Sequence, residues 1–140
     1  MMNEPVSAIM TRNLITVSPD DNLNRVKEVF STHRIHHLPV VDKGKLVGLI
    51  TTYDLFKLGK SHEEYNDIKV TAIMTDKLAT LEPGSKVGTA CEVFLENLFH
   101  ALPIVDEAGM LVGIVTTFDV MKYTHIKEYP DREILSSMGH

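Results

Sequence analysis

Leu46-Val47-Gly48-Leu49-Ile50-Thr51-Thr52-Tyr53-Asp54 decides the fold of this chain, because it returns as Leu111-Val112-Gly113-Ile114-Val115-Thr116-Thr117-Phe118-Asp119. Each copy reads as a strand that runs directly into a helix. The run is apolar on both faces, as in a strand covered on both sides. Thr-x-x-Asp then forms a capping box, whose hydroxyl and carboxylate satisfy free N–H groups at a helix start. Upstream, Leu38-Pro39-Val40-Val41-Asp42 matches Leu102-Pro103-Ile104-Val105-Asp106, and Ala8-Ile9-Met10-Thr11 matches Ala72-Ile73-Met74-Thr75. Val6 to Lys57 aligns with Val70 to Lys122 with nearly half the positions identical and only Ala108 inserted. Two copies do not make an open solenoid, which needs three or more units. They can close about a pseudo-twofold axis, and a cleft there is lined twice by the same residue types.

Each repeat predicts the order strand, helix, strand, strand, helix. A short strand at Leu14–Val17 comes first. Ser18 then suits an N-cap, Pro19 the first helical position and Asp21 the capping-box acid. Leu23, Val26, Val29 and Phe30 follow at helical spacing, as do Val87, Ala90, Cys91 and Phe94 behind Pro83 in the second copy. Val40-Val41 and Leu46–Ile50, joined by Asp42-Lys43-Gly44-Lys45, read as a β-hairpin. The segmentation is therefore residues 6–57, a polar and solvated linker at 58–69, residues 70–122 and a tail at 123–140. In the tail, Tyr123, Ile126 and Tyr129 extend the last helix to Pro130, and Ile134, Leu135 and Met138 form one apolar turn.

With 140 residues, each half alone is of marginal size, so the two are expected to fold as a pair. A net charge of -5 argues against a non-specific nucleic-acid or anionic-membrane surface. No apolar run approaches the ~20 residues of a membrane span, and Met1–Pro5 lacks the pattern of a secretory leader. Cys91 is the only cysteine, which excludes an internal disulfide and fits a cytoplasmic location. There are seven histidines, but they lack zinc-ligand spacing, so no metal is expected. No nucleophile elbow or glycine-rich dinucleotide turn is present, which argues against an enzyme.

The candidate chemistry lies where each repeated strand meets its helix. Free N–H groups and partial positive charge at a helix start favour phosphate. The Thr hydroxyl adds a hydrogen bond, and the two oxygens of the Asp carboxylate suit the vicinal hydroxyls of a ribose. Spacing alone favours capping over ligand binding for Thr51/Asp54 and Thr116/Asp119, and the two roles are compatible.

The paired blocks resemble a tandem of cystathionine-β-synthase (CBS) domains, a Bateman module, over residues 6–57 and 70–122. The resemblance implies an α+β fold in which two pseudo-twofold related repeats pack sheet to sheet and form two clefts for an adenosyl ligand such as AMP, ADP, ATP or S-adenosylmethionine. It assigns the ribose to Asp54 and Asp119 and phosphate to Thr51 and Thr116. It frames the base with Thr16, Val17, Leu38, Pro39 and Val40, and with Thr80, Leu81, Leu102, Pro103 and Ile104. It further implies a regulatory module, without a catalytic cofactor, that forms a homodimer and signals to a protein partner. The rival reading is a ligand-free scaffold for dimerisation or docking. The chain departs from the family where an Arg commonly precedes the Leu-Pro segment: here His36-His37 and His100-Ala101 stand instead. An imidazole, mostly neutral at pH 7, is a weaker phosphate anchor than a guanidinium. The more basic first half, with Arg34, His36, His37, Lys43 and Lys45, makes the Thr51/Asp54 site the expected stronger one.

Overall fold

The structure, a computed structural model, describes residues 2–131. It is α+β. In the first half come α1 (Leu23–Thr32), β1 (His37–Asp42), β2 (Lys45–Thr51) and α2 (Thr52–Leu58). The second half repeats them as α3 (Val87–Asn97), β3 (Ala101–Val105), β4 (Leu111–Thr116) and α4 (Thr117–Glu128). Each sheet is an antiparallel hairpin, β1 with β2 and β3 with β4. The hairpin turn read at Asp42–Lys45 is present, with Lys43 and Gly44 at positive φ (51° and 85°).

The halves are joined by an exchange that obeys a twofold relation. Thr11 bridges Ile114, and its counterpart Thr75 bridges Leu49. Val6 N–H donates to Ser85 O (2.7 Å), while Val70 N–H donates to Asp21 O (2.9 Å). Pro5 pairs with Lys86, and Lys69 pairs with Asn22. The leading segment of each repeat thus lies against the other half. Val6 and Met10 enter the core of Ala90, Phe94, Leu102, Ile104 and Val115. Val70 enters that of Val17, Leu23, Val26, Val29, Leu38, Val40 and Ile50. Neither half closes its core without a segment from the other.

This exchange also explains where the expected elements shift. The strand expected at Leu14–Val17 is a single parallel bridge, Val17 to Val40, matched by Leu81 to Ile104. The first long helix does not start at Ser18-Pro19. Those residues form a turn in which Asp21 N–H donates to Ser18 O (3.0 Å) and Ser18 N–H to Asp21 Oδ2 (2.8 Å). Asn22 caps α1 instead, accepting from Arg25 N–H at 3.2 Å. Pairing with Lys69 holds Asn22 extended, which delays the helix; here tertiary pairing overrides local propensity. Leu23, Val26, Val29, Val87, Ala90 and Phe94 are buried as their spacing predicts, while Phe30 and Cys91 are only half-buried.

Residues 58–69 are more than a solvated connection. A 3-10 helix at His62–Asp67 carries Tyr65 into the first core, where it is 4% exposed. The last helix extends past Tyr123 and Ile126 to Glu128 as read, with Tyr123 buried. The apolar turn at Ile134, Leu135 and Met138 lies outside the described residues. Among the described residues no helix is long and apolar enough to cross a membrane.

Candidate functional site

Both repeated Thr-x-x-Asp motifs form complete capping boxes. Asp54 Oδ2 accepts from Thr51 N–H at 2.8 Å, and Asp54 N–H donates to Thr51 Oγ1 at 3.2 Å. Asp119 and Thr116 repeat this at 2.9 and 3.1 Å. The box uses one carboxylate oxygen and one lone pair of the hydroxyl. Thr51 can still donate its O–H, and Asp54 retains Oδ1.

The surroundings of the two boxes differ. A cavity of about 500 Å³ opens at Thr51 and Asp54, inside the roughly 300–1,000 Å³ range of small-molecule sites. Its walls come from both repeats. His36, His37, Leu49, Thr52 and Tyr53 belong to the first, and Thr75, Lys77, Leu78, Ala79, Leu98, Phe99, His100, Ala101 and Pro103 to the second. At the other box, Thr11 Oγ1 reaches the Asp119 carboxylate through long contacts of 3.4 and 3.5 Å. Burial raises the Asp119 pKa, opposed by hydrogen bonds from Thr116 and Thr11 and by the charge of Lys122.

Of the residues singled out from sequence, the cavity gathers His36, His37, Thr51, Asp54, His100 and Pro103. Strand alternation sorts their neighbours. On β3, Ala101 and Pro103 face the cavity, while Leu102 and Ile104 turn to the core. On β1, His37 faces it, while Leu38 (0% exposed) does not. Val17, Pro39 and Val40 are buried, Thr16 and Leu81 half-buried, and Thr80 is exposed beside the lining residue Ala79. Thr116 and Asp119 belong to the second box.

The basic cluster expected around the first site is replaced in part. Arg34, Lys43 and Lys45 are absent from the lining, and Lys43 and Lys45 sit at the hairpin turn, where Lys45 bridges Met110. The cation on the cavity wall is Lys77, which arrives with the exchanged segment that also carries Thr75. Sequence reasoning missed Lys77, Leu78, Ala79 and the aromatic residues Tyr53 and Phe99. The repeated Ala-Ile-Met-Thr block, which ends two residues before Lys77, was the available signal. The phosphate role expected of the helix start is weakened, because α2 has only seven residues and a helix that short sums few peptide dipoles.

His36 and His100, equivalent positions of the two repeats, line the same cavity, which therefore reaches the pseudo-twofold axis. Burial pushes the His37 pKa down. The nearby His100 and His36 push it further down, and Asp54 opposes them. Among the described residues no group of three or more His, Cys, Asp and Glu has an arrangement able to hold a metal ion.

The family model described as "CBS domain" matches the chain twice, at residues 6–61 and 70–125. The uncharacterised protein MJ1225 of Methanocaldococcus jannaschii is 33% identical over 132 residues, covering 86% of this chain and 47% of that protein. Its crystal structure gives a TM-score of 0.81 at 32% identity, over 88% of this chain and 48% of that one. The structure of CBSX2 in complex with AMP gives 0.80 at 27% identity, over 89% and 98% of the two chains. The CBS domain pair of MJ0100, in complex with 5′-methylthioadenosine and S-adenosyl-L-methionine, gives 0.76 at 29% identity, over 88% and 97%. The chain spans about half the length, or less, of several curated relatives that it matches.

Proposed function

The chain belongs to the CBS domain family as a tandem pair, and on that footing we propose that it is a regulatory module whose Asp54 cavity binds an adenosyl ligand. The observation that carries this reading is the convergence of Thr51, Asp54, Lys77 and three imidazoles on one cavity of about 500 Å³. Asp54 Oδ1 accepts from a ribose hydroxyl, and the Thr51 O–H and Lys77 meet a phosphate or another polar 5′ substituent. Leu78, Ala79, Phe99 and Pro103 offer the apolar wall that a purine requires. The complexes of CBSX2 with AMP and of the MJ0100 pair with adenosyl compounds support the ligand class. The signal passes by protein contact, with no catalytic step and no catalytic cofactor. The lone Cys91 favours a reducing compartment, the cytoplasm.

A homodimer or protein-docking role is favoured by a separate observation. Phe56 on α2 and its counterpart Met121 on α4 are 80% and 62% exposed, and Tyr53 beside Phe56 is 62% exposed. Matching apolar groups on two equivalent helices suit an isologous contact. This surface is compatible with ligand sensing, and without a ligand it would leave a scaffold.

A thermal-shift screen with adenosine, AMP, ADP, ATP and S-adenosylmethionine tests the sensor reading. A ligand that binds only the native state stabilises it by about 2.7 kcal/mol at a hundredfold excess over Kd. At least one of the five is expected to raise Tm. No shift with any of them overturns the sensor and leaves the scaffold.

A further inference from the structure

We propose that His36, His37 and His100 make anion binding in the Asp54 cavity proton-coupled, so that a nucleoside phosphate enters with uptake of protons onto these imidazoles and the module reads nucleotide and pH together. The proposal rests on the sensor reading above and adds to it the protonation chemistry of the same site.

The geometry carries it. The titratable groups on the lining are His36 and His37 at the start of β1, Tyr53 and Asp54 on α2, Lys77 on the exchanged segment and His100 before β3. The fixed charges among them, Lys77 and Asp54, cancel. A phosphate dianion placed there meets no net counter-charge unless imidazoles protonate. In the empty cavity the pressure runs the other way, since burial and the neighbouring His100 and His36 disfavour charge on His37. An opposite charge within about 4–6 Å raises an imidazole pKa by about 1–3 units. The sign follows: bound phosphate favours the imidazolium, and binding takes up protons and tightens as pH falls. Uncharged adenosine lacks this term.

Calorimetric titration of the whole chain with AMP and with adenosine tests the proposal. Working between about pH 7 and 8.5 keeps the phosphate mainly dianionic, since its second pKa lies near 6. AMP is expected to weaken by about three- to tenfold across that range, and adenosine to change little. At pH ~7.5 the AMP enthalpy should differ between two buffers of unequal protonation enthalpy, in the sense of proton uptake. The variants His36→Gln and His100→Gln, each at an exposed position, should reduce that uptake. Parallel pH curves for the two ligands with no buffer dependence, or uptake unchanged when His36, His37 and His100 are all replaced by Gln, overturn the proton coupling and leave the sensor intact. Binding of neither AMP nor adenosine overturns the proton coupling, and the five-ligand thermal-shift screen then decides the sensor reading by itself.

Discussion

Met74 lies so close over Gly48 that a Cβ on that glycine would stand 2.5 Å from the methionine sulfur. Met10 covers Gly113 in the same way from the other repeat. Both glycines sit inside strands, where their role is close approach rather than backbone freedom. The repeated Gly in Leu-Val-Gly and the repeated Met in Ala-Ile-Met-Thr are therefore two sides of one contact, made twice across the axis.

Gly48→Ala should destabilise the chain by about 1–3 kcal/mol, the cost of overpacking a close contact. In a Met74→Ala background the same change should cost less, with a coupling of about 0.5–3 kcal/mol as found between touching residues. Urea unfolding of the four proteins measures it. Strict additivity would separate Gly48 from Met74.

Leu98 adopts the left-handed conformation at the end of α3 (φ 55°, ψ 26°) and is 82% exposed, so it bears a backbone cost without burial in return. Leu98→Gly should raise stability by about 0.5–1 kcal/mol, once the greater freedom of the unfolded glycine chain is counted. An unchanged or lower midpoint in thermal unfolding would mean that Leu98 contributes contacts that outweigh its backbone.

Glu4 ties the leading segment to α4. Its Oε1 lies 2.8 Å from Lys127 Nζ, and Tyr123 donates to Oε2 at 2.5 Å. These partners, Lys127 first, lower the Glu4 pKa to about 2. A depressed folded-state value adds stability above the unfolded carboxylate value of about 4.3, and this is lost as pH falls toward 2. The group is open to solvent, so the effect is modest and weakened by salt. Glu4→Gln should flatten the fall of Tm between about pH 4.5 and 2. Identical slopes for the two proteins would discount the tie.

Much of this architecture was legible in the repeated blocks. Thr51-x-x-Asp54 and Thr116-x-x-Asp119 are capping boxes, the Asp42–Lys45 turn joins a hairpin, and the helical stripes are buried apart from the half-buried Phe30 and Cys91. The exchange was not legible, because a repeat shows which residues are equivalent and not which copy each one packs against. From that gap come the missed Lys77, the late start of α1 at Asn22 and the gathering of His36 and His100 in one cavity instead of two. Alternation along β1 and β3 sends Leu38 and Leu102 into the core, so these two strands contribute only His37, Ala101 and Pro103 to the lining.

The central claim is that an adenosyl ligand binds at Asp54, and calorimetric titration of AMP into the wild type, Asp54→Ala and Asp119→Ala tests it most directly. Loss of a hydrogen bond to a charged group costs about 1.5–3 kcal/mol, so Asp54→Ala should weaken AMP by roughly ten- to a hundredfold or more. Asp119→Ala, whose carboxylate is already in contact with Thr11, should leave the first equivalent of AMP almost unaffected. Unfolding curves on the same samples separate loss of the cap from loss of the site. Wild-type affinity in Asp54→Ala, or a larger loss in Asp119→Ala, would contradict the account.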